Sequence, residues 1–135
     1  MSAPAIQKIF AQYCQYLDDG RLDDVAKLFA DDGMLIMEAY GLKETGPQAI
    51  RAKYGQITDP KIKGAHATFN HIIDVTGQGD GATAGATADF MFIDIGQGQP
   101  RIIVVGRYRS RFAVVRGDWK IKEWNIEIKV NALAT

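Results

Sequence analysis

The chain has 135 residues, 47% of them hydrophobic and 24% charged, and its 16 basic residues balance its 16 acidic residues. This length predicts a single domain over residues 1–135 with one buried core. Nucleic acids and anionic membranes usually attract proteins with an excess of positive charge, so the balanced charge argues against both as partners.

Cys14 is the single cysteine, which excludes an internal disulfide and leads us to expect a reducing compartment. The first ten residues lack the apolar run of a signal peptide, and no segment approaches the ~20 apolar residues of a membrane span. We therefore expect a soluble, cytoplasmic protein. Two histidines and one cysteine argue against a structural zinc site.

The first part of the chain predicts helices. Apolar residues at three- and four-residue spacing form the buried stripe of a first helix that ends before Gly20, namely Ile6, Ile9, Phe10, Tyr13 and Leu17. A second helix over residues 22–29 and a strand over residues 34–39 follow. Pro47 then starts a third helix that includes Tyr54.

From His66 onward the pattern is that of β structure. His66 opens a strand-like stretch, and glycine-rich turns separate four further strands at residues 72–75, 83–95, 101–115 and 119–130. Helices followed by an antiparallel meander predict an α+β fold with the helices packed on one face of the sheet.

Alternation along the strand at residues 101–115 assigns its side chains to two faces. It turns one set toward the helices, namely Ile102, Val104, Gly106, Tyr108, Ser110, Phe112 and Val114. The opposite set contains Arg107, Arg109 and Arg111, which we expect to face solvent or a neighbouring subunit. In an unbroken strand, His71 has the opposite parity to His66 and points away from the site, so we assign it no role.

Asp18 and His66 are the residues that suggest a chemistry. Asp18 lies near the end of the first helix, and His66 begins the β region. A histidine oriented by a carboxylate is a simple general base near neutral pH. Two structural alternatives stay open: Asp18 caps the turn at Gly20, and Tyr13 belongs only to the core stripe.

Several short motifs resemble the SnoaL-like branch of the nuclear-transport-factor-2-like superfamily. They occur in the right order over about residues 5–130, at residues 16–22, 28–33, 46–50, 66–70, 106–108 and 117–121. The resemblance implies a cystatin-like α+β barrel in which three N-terminal helices and a curved antiparallel sheet enclose a conical pocket.

The resemblance also implies roles for particular residues. Asp18 and His66 fall on the aspartate and histidine of the hexachlorocyclohexane dehydrochlorinase and scytalone dehydratase, and Asn70 matches a dehydrochlorinase asparagine. Tyr108 falls near a scytalone dehydratase asparagine, and Tyr13 resembles the oxyanion-binding tyrosine of ketosteroid isomerases.

One departure concerns the general base of the ketosteroid isomerases. Met37 stands where those enzymes carry an aspartate, and a one-residue slip would place Glu38 there instead. We expect substrate-binding contacts from a largely apolar set, namely Met37, Phe69, Asn70, Phe90, Phe92, Phe112 and Trp124.

The leading hypothesis is a small cofactor-independent lyase, a dehydratase or related elimination enzyme, that acts on an apolar or cyclic small molecule. His66 is its base, Asp18 orients His66, and Tyr108 and Tyr13 donate hydrogen bonds. The alternatives are a ketosteroid-isomerase-like or polyketide-cyclase-like isomerase and a non-catalytic domain that binds a small molecule or partner. No metal, flavin or nicotinamide motif is recognisable. The resemblance implies a homodimer or homotrimer through the outer sheet face, where Ile103 and Val105 flank the arginines.

Overall fold

The computed structural model describes residues 2–133 as three helices and a six-stranded sheet. The helices are α1 (Ser2–Asp18), α2 (Leu22–Lys27) and α3 (Pro47–Ile57). The strands are β1 (Phe29–Met37), β2 (Leu42–Thr45), β3 (Gly64–Thr76), β4 (Thr83–Asp94), β5 (Arg101–Val115) and β6 (Asp118–Asn131). The predicted α+β class is therefore confirmed, with β2 as an additional strand.

The sheet is mixed and open. Its strand order is β2-β1-β6-β5-β4-β3, and β1 runs parallel to β6 while all the other neighbouring pairs are antiparallel. The expected wholly antiparallel sheet is thus corrected at one pairing, and β2 and β3 remain as free edges. The meander begins with β3 at the far edge of the sheet and ends with β6, which lies beside β1 and forms the parallel pairing.

The core lies between the helices and the inner face of the sheet. Helix α1 contributes Ile6, Phe10 and Tyr13, each no more than 1% exposed, and the sheet contributes Phe112 and Trp124 at the same level. The apolar stripe predicted for the first helix is therefore the stripe that this helix buries. None of the helices within residues 2–133 is both long and apolar enough to cross a membrane.

Strand β3 contains a β-bulge that changes which side chains face the core. Asn70 has a positive φ of 55°, and the pairing with β4 shifts between Phe69 and Ile72. One extra residue on a strand reverses the alternation beyond it. His71 consequently turns inward and packs edge-on against Phe10, with ring centroids 5.2 Å apart. The expectation that His71 points away is wrong.

A second irregularity lies at the start of β5. Val104 pairs with Phe92 and Ile102 pairs with Ile93, so Ile103 is the extra residue between them. Ile103 is 1% exposed and Ile102 is 54% exposed, the reverse of the predicted faces. From Val104 onward the predicted alternation holds.

Candidate active site

Asp18 and His66 are in direct contact. The His66 ring nitrogen Nδ1 lies 2.6 Å from Asp18 Oδ1, and the His66 backbone N–H donates to Asp18 Oδ2 at 2.9 Å. Their side chains are 16–17% exposed, which places the pair at the rim of the interior rather than in its centre. One carboxylate therefore fixes both the ring and the backbone of the histidine.

The end of α1 leaves the Asp18 carboxylate available for this contact. Gly20 adopts a left-handed φ of 72°, and the Arg21 backbone N–H donates to the Tyr16 carbonyl at 2.8 Å. Backbone groups thus close the turn in the manner of a glycine C-cap. The alternative that Asp18 serves only to cap this turn does not describe its contacts.

The contact defines the tautomer of His66. An ionised carboxylate can only accept hydrogen bonds, so the proton of a neutral His66 ring belongs on Nδ1. The other nitrogen, Nε2, then carries a free electron pair. The ring also packs against Phe92, with centroids 4.6 Å apart. Orientation of a histidine ring by a carboxylate is one feature of histidine general bases.

Three buried tyrosines lie in the interior beyond the Asp18–His66 pair, which we call the dyad. The hydroxyls of Tyr13 on α1 and Tyr54 on α3 are hydrogen-bonded to each other. Tyr108 on β5 stacks on Phe90, with centroids 4.2 Å apart, and meets the Tyr13 ring edge-on at 5.6 Å. Two helices and the sheet therefore bring three hydroxyl-bearing rings into one cluster.

Burial keeps these tyrosines protonated. It raises the pKa of Tyr13 and of Tyr108 well above the ordinary value, and the negative charge of Asp18 is a smaller cause at Tyr108. Burial also raises the pKa of Tyr54. All three hydroxyls can therefore donate hydrogen bonds at neutral pH.

Cys14 is not a nucleophile in this environment. Its side chain is buried on α1. Burial, and to a smaller extent the nearby negative charge of Asp18, raises the pKa of the thiol to about 12. Because the thiolate is the reactive form, the thiol is inert at neutral pH.

A family model described as a SnoaL-like domain matches residues 2–125. The chain belongs to the SnoaL-like domain family. This confirms the resemblance indicated by the sequence motifs. No curated protein matched the chain in a sequence comparison.

Solved structures share the fold of this SnoaL-like domain at low sequence identity. Aln2 from a Streptomyces species is 17% identical with a TM-score of 0.82, over 93% of this chain and 89% of that one. A scytalone dehydratase-like protein from Novosphingobium aromaticivorans is 20% identical with a TM-score of 0.78, over 96% and 85%. LinA is 17% identical with a TM-score of 0.79, over 95% and 86%. Identities this low show the fold alone.

The SnoaL-like domain brings most of the expected lining residues to its inner side. Phe90, Phe112 and Trp124 are buried in the core, and Met37 packs against it. Phe92 lies beside His66. The expected apolar surroundings of the site therefore come chiefly from the sheet.

Two of the expected lining residues lie on the outer face instead. Phe69 pairs directly with Asp89, and the exposed Asn70 donates its side-chain amide to Asp89 at 3.0 Å. Asp89 in turn accepts from Arg107, which faces away from the helices. The structure does not bring Phe69 and Asn70 to the Asp18–His66 pair, because Phe69 has the opposite parity to His66 in the regular part of β3 and Asn70 is the bulge residue itself.

The position at which β1 ends shows which of Met37 and Glu38 lies on the inner side of the sheet. Met37 is its last residue and packs against the core, whereas Glu38 is exposed in a short 3₁₀ turn over Glu38–Tyr40. Glu38 borders a surface cavity of about 220 Å³ together with Asn125 and Glu127. A larger concavity, of about 530 Å³, lies at the start of α3, and neither includes the dyad in its lining.

Tyr54 is the site residue that the sequence analysis does not single out. It shares the buried side of α3 with Ile50, and Tyr54 is 3% exposed. The available signal is its hydroxyl, because a tyrosine on the buried stripe of a helix needs a partner for that group. The partner itself lies 41 residues away in sequence, which no local pattern indicates.

Proposed function

We propose that this protein is a small cofactor-independent lyase, a dehydratase or related elimination enzyme, with His66 as general base and Asp18 as its orienting residue. The observation that carries the proposal is the 2.6 Å contact between Asp18 Oδ1 and His66 Nδ1. A dehydratase-like protein among the structures of similar fold supports the same class of reaction.

In the proposed reaction, His66 Nε2 takes a proton from a substrate carbon. The electron pair of that C–H bond forms a double bond to the neighbouring carbon, from which the leaving group departs with its own pair. Asp18 stabilises the imidazolium that forms. General-base assistance of this kind contributes about 10²–10⁴ in rate, or roughly 3–5 kcal/mol.

The buried tyrosines would supply the hydrogen bonds of the reaction. Tyr108 and Tyr13 can donate to a carbonyl, an enolate or a leaving group, because burial keeps both protonated. Tyr54 holds the Tyr13 hydroxyl. The surrounding side chains are apolar, so the substrate class that fits best is a compact apolar or cyclic molecule with one oxygen or halogen function.

An isomerase acting in the same interior is the second candidate, and the hydrogen-bonded pair of Tyr13 and Tyr54 favours it. Such a pair can stabilise an enolate whether or not a leaving group is present. The base would be His66 rather than Glu38, since Glu38 is exposed on the surface. A domain that only binds its ligand is the third candidate.

The first experiment compares Asp18→Asn and His66→Gln with Asp19→Asn, a matched change at the exposed neighbour. The substrates are cyclic β-hydroxy ketones and halogenated cyclohexanes, and the readout is the rate of alkene formation. Loss of about 10²–10⁴ in kcat is expected for the first two variants and none for the third. Full activity in His66→Gln would rule out the dyad mechanism.

Exchange of the α-hydrogens of cyclohexanone in D₂O, followed by NMR, separates the three candidates. Exchange that depends on His66, without elimination from any substrate of the panel, would favour the isomerase. Binding without exchange or elimination would favour the binding domain.

We further propose that two copies associate through the outer face of the sheet. One row across that face is apolar, and the strand register places Ala67, Met91, Val105 and Val130 in it. The adjacent row contains Asp89, Arg107 and Glu127, so opposite charges can meet across a two-fold axis. Ile103 is buried and takes no part in this surface.

A further inference from the structure

Two buried polar groups on the inner face of the sheet have no hydrogen-bond partner. They are the Ser110 hydroxyl on β5 and the indole N–H of Trp124 on β6, and neither finds one within the described part of the chain. Ser110 is 4% exposed and Trp124 is 0% exposed. The two residues are direct partners across the β5–β6 pairing, so both side chains project from one row toward the helices.

The neighbours of this row make no hydrogen bond with either group. Ala86 lies opposite Ser110 on the β4 side, and rings from Phe10 and Phe112 pack around the indole. The Tyr13 ring also lies against Trp124, but the Tyr13 hydroxyl is hydrogen-bonded to Tyr54 and makes no hydrogen bond with the indole N–H. The side chains around the serine and the indole therefore leave both groups without a hydrogen-bonding oxygen.

Physical chemistry sets the cost of such an arrangement. A buried donor without a partner destabilises the folded protein, and native proteins pair nearly all such groups with protein or with ordered water. Two unpaired groups on one cross-strand row indicate a common partner rather than two independent defects.

We propose that Ser110 and Trp124 form a binding site for one neutral oxygen atom. The oxygen accepts from the Trp124 N–H and shares a hydrogen bond with the Ser110 hydroxyl, which can donate or accept. Both protein groups are uncharged, so they suit a neutral oxygen better than an anion. A water molecule has this chemistry, and so does the hydroxyl or carbonyl oxygen of a ligand.

The position of the site connects it with the tyrosine cluster. Ser110 lies two residues beyond Tyr108 on the same face of β5, and the Tyr108 ring lies 4.8 Å from that of Trp124. A ligand held at the tyrosines could therefore place a second oxygen at Ser110 and Trp124. This ligand source rests on the proposed function, whereas the water source does not.

The test uses ¹⁵N-labelled protein, in which the two tryptophans give two indole N–H signals. Trp119 serves as the internal control, because it lies at the edge of the core. Cross-peaks between each indole N–H and water are recorded for the wild type and for Ser110→Ala, a change that removes only the hydroxyl oxygen. We expect a bound-water cross-peak at Trp124 that is lost in Ser110→Ala, while the Trp119 signal stays unchanged.

Titration with cyclohexanone, and with methylcyclohexane as the oxygen-free control, distinguishes the sources. A Trp124 shift caused by cyclohexanone alone, and weakened in Ser110→Ala, assigns the site to a ligand oxygen. A water cross-peak without that shift assigns it to water. If Trp124 shows neither a bound-water cross-peak nor a cyclohexanone-dependent shift, the proposal is overturned. It is overturned as well if either effect persists unchanged in Ser110→Ala. No readout depends on turnover, so failure of the lyase mechanism would leave this result intact.

Discussion

Asn70 decides which side of β3 faces the interior beyond it. Its left-handed φ of 55° inserts the bulge, and its side-chain amide is held by Asp89. Asparagine tolerates this conformation better than most residues, whereas a β-branched side chain is strained there by roughly 1–3 kcal/mol. The bulge brings His71 within 3.0 Å of the Thr68 hydroxyl on the inner side.

We therefore expect Asn70→Gly to preserve the position of His71 and Asn70→Val to lose it. Burial lowers the pKa of His71 in the folded protein. An outward His71 in Asn70→Val should return to the ordinary imidazole pKa, while Asn70→Gly should keep the lowered value. NMR titration of the His71 ring measures both, and equal pKa values in the two variants would contradict the role given to Asn70.

The lowered pKa of His71 also gives a direction to the pH dependence of stability. As the pH falls, His71 takes up its proton at a higher pH in the unfolded chain than in the folded protein. The contribution of neutral His71 to the free energy of unfolding is therefore fully present above the ordinary imidazole pKa. It is lost as the pH falls from that value through the lowered one. Urea denaturation across this window should show a smaller decline for His71→Gln than for the wild type.

At the scale of the elements, a glycine on β5 allows close packing against both β4 and β6. A Cβ atom on Gly106 would lie 2.3 Å from the Glu127 carbonyl oxygen and 2.6 Å from the Phe90 ring. Phe90 is the ring that stacks on Tyr108. The absence of a side chain at residue 106 thus allows the aromatic stack beside the candidate site.

Gly106→Ala should therefore destabilise the protein by about 1–3 kcal/mol or more, because the new methyl group overlaps backbone as well as a ring. Gly85→Ala is the matched control on the neighbouring strand, since a Cβ there meets nothing within 4 Å. Thermal unfolding of both variants checks the difference. Similar melting temperatures would show that β5 can move away from β6 at little cost.

The sequence predicts the helices and strands better than it predicts the tertiary contacts between them. The alternation of β5 correctly predicts that Arg107, Arg109 and Arg111 face outward, where they meet acidic partners. The Asp18–His66 contact could be predicted only through a family resemblance, because 48 residues separate the two. The bulge at Asn70 and the contact between Tyr13 and Tyr54 depend on tertiary packing, which no local period encodes.

At the scale of the whole molecule, the outer face of the sheet combines an apolar row with paired charges. Exposed ion pairs contribute little to stability, so the three arginine–carboxylate pairs matter more for selecting a partner than for the fold. Val130 is 58% exposed in the neighbouring apolar row.

For the proposed dimer, Val130→Lys should shift the protein to monomer. The lysine would bury an unpaired charge at the interface. Ile57→Lys is the control, because Ile57 is similarly exposed at 47% but lies at the end of α3. Light scattering after size-exclusion chromatography measures the mass of each. A wild-type monomer at all concentrations tested would exclude the assembly.

The Asp18 carboxylate has a further consequence for the behaviour of the protein in concentrated solution. Strand β3 is an edge of the open sheet. The His66 backbone N–H, which donates a hydrogen bond to Asp18, points away from β4. Unoccupied donors on a sheet edge recruit strands from other molecules, which is a common route to fibrils. The residue proposed to tune a catalytic base thus also blocks one contact through which the chain could polymerise, so selection against aggregation would retain an acidic residue there even after catalysis was lost.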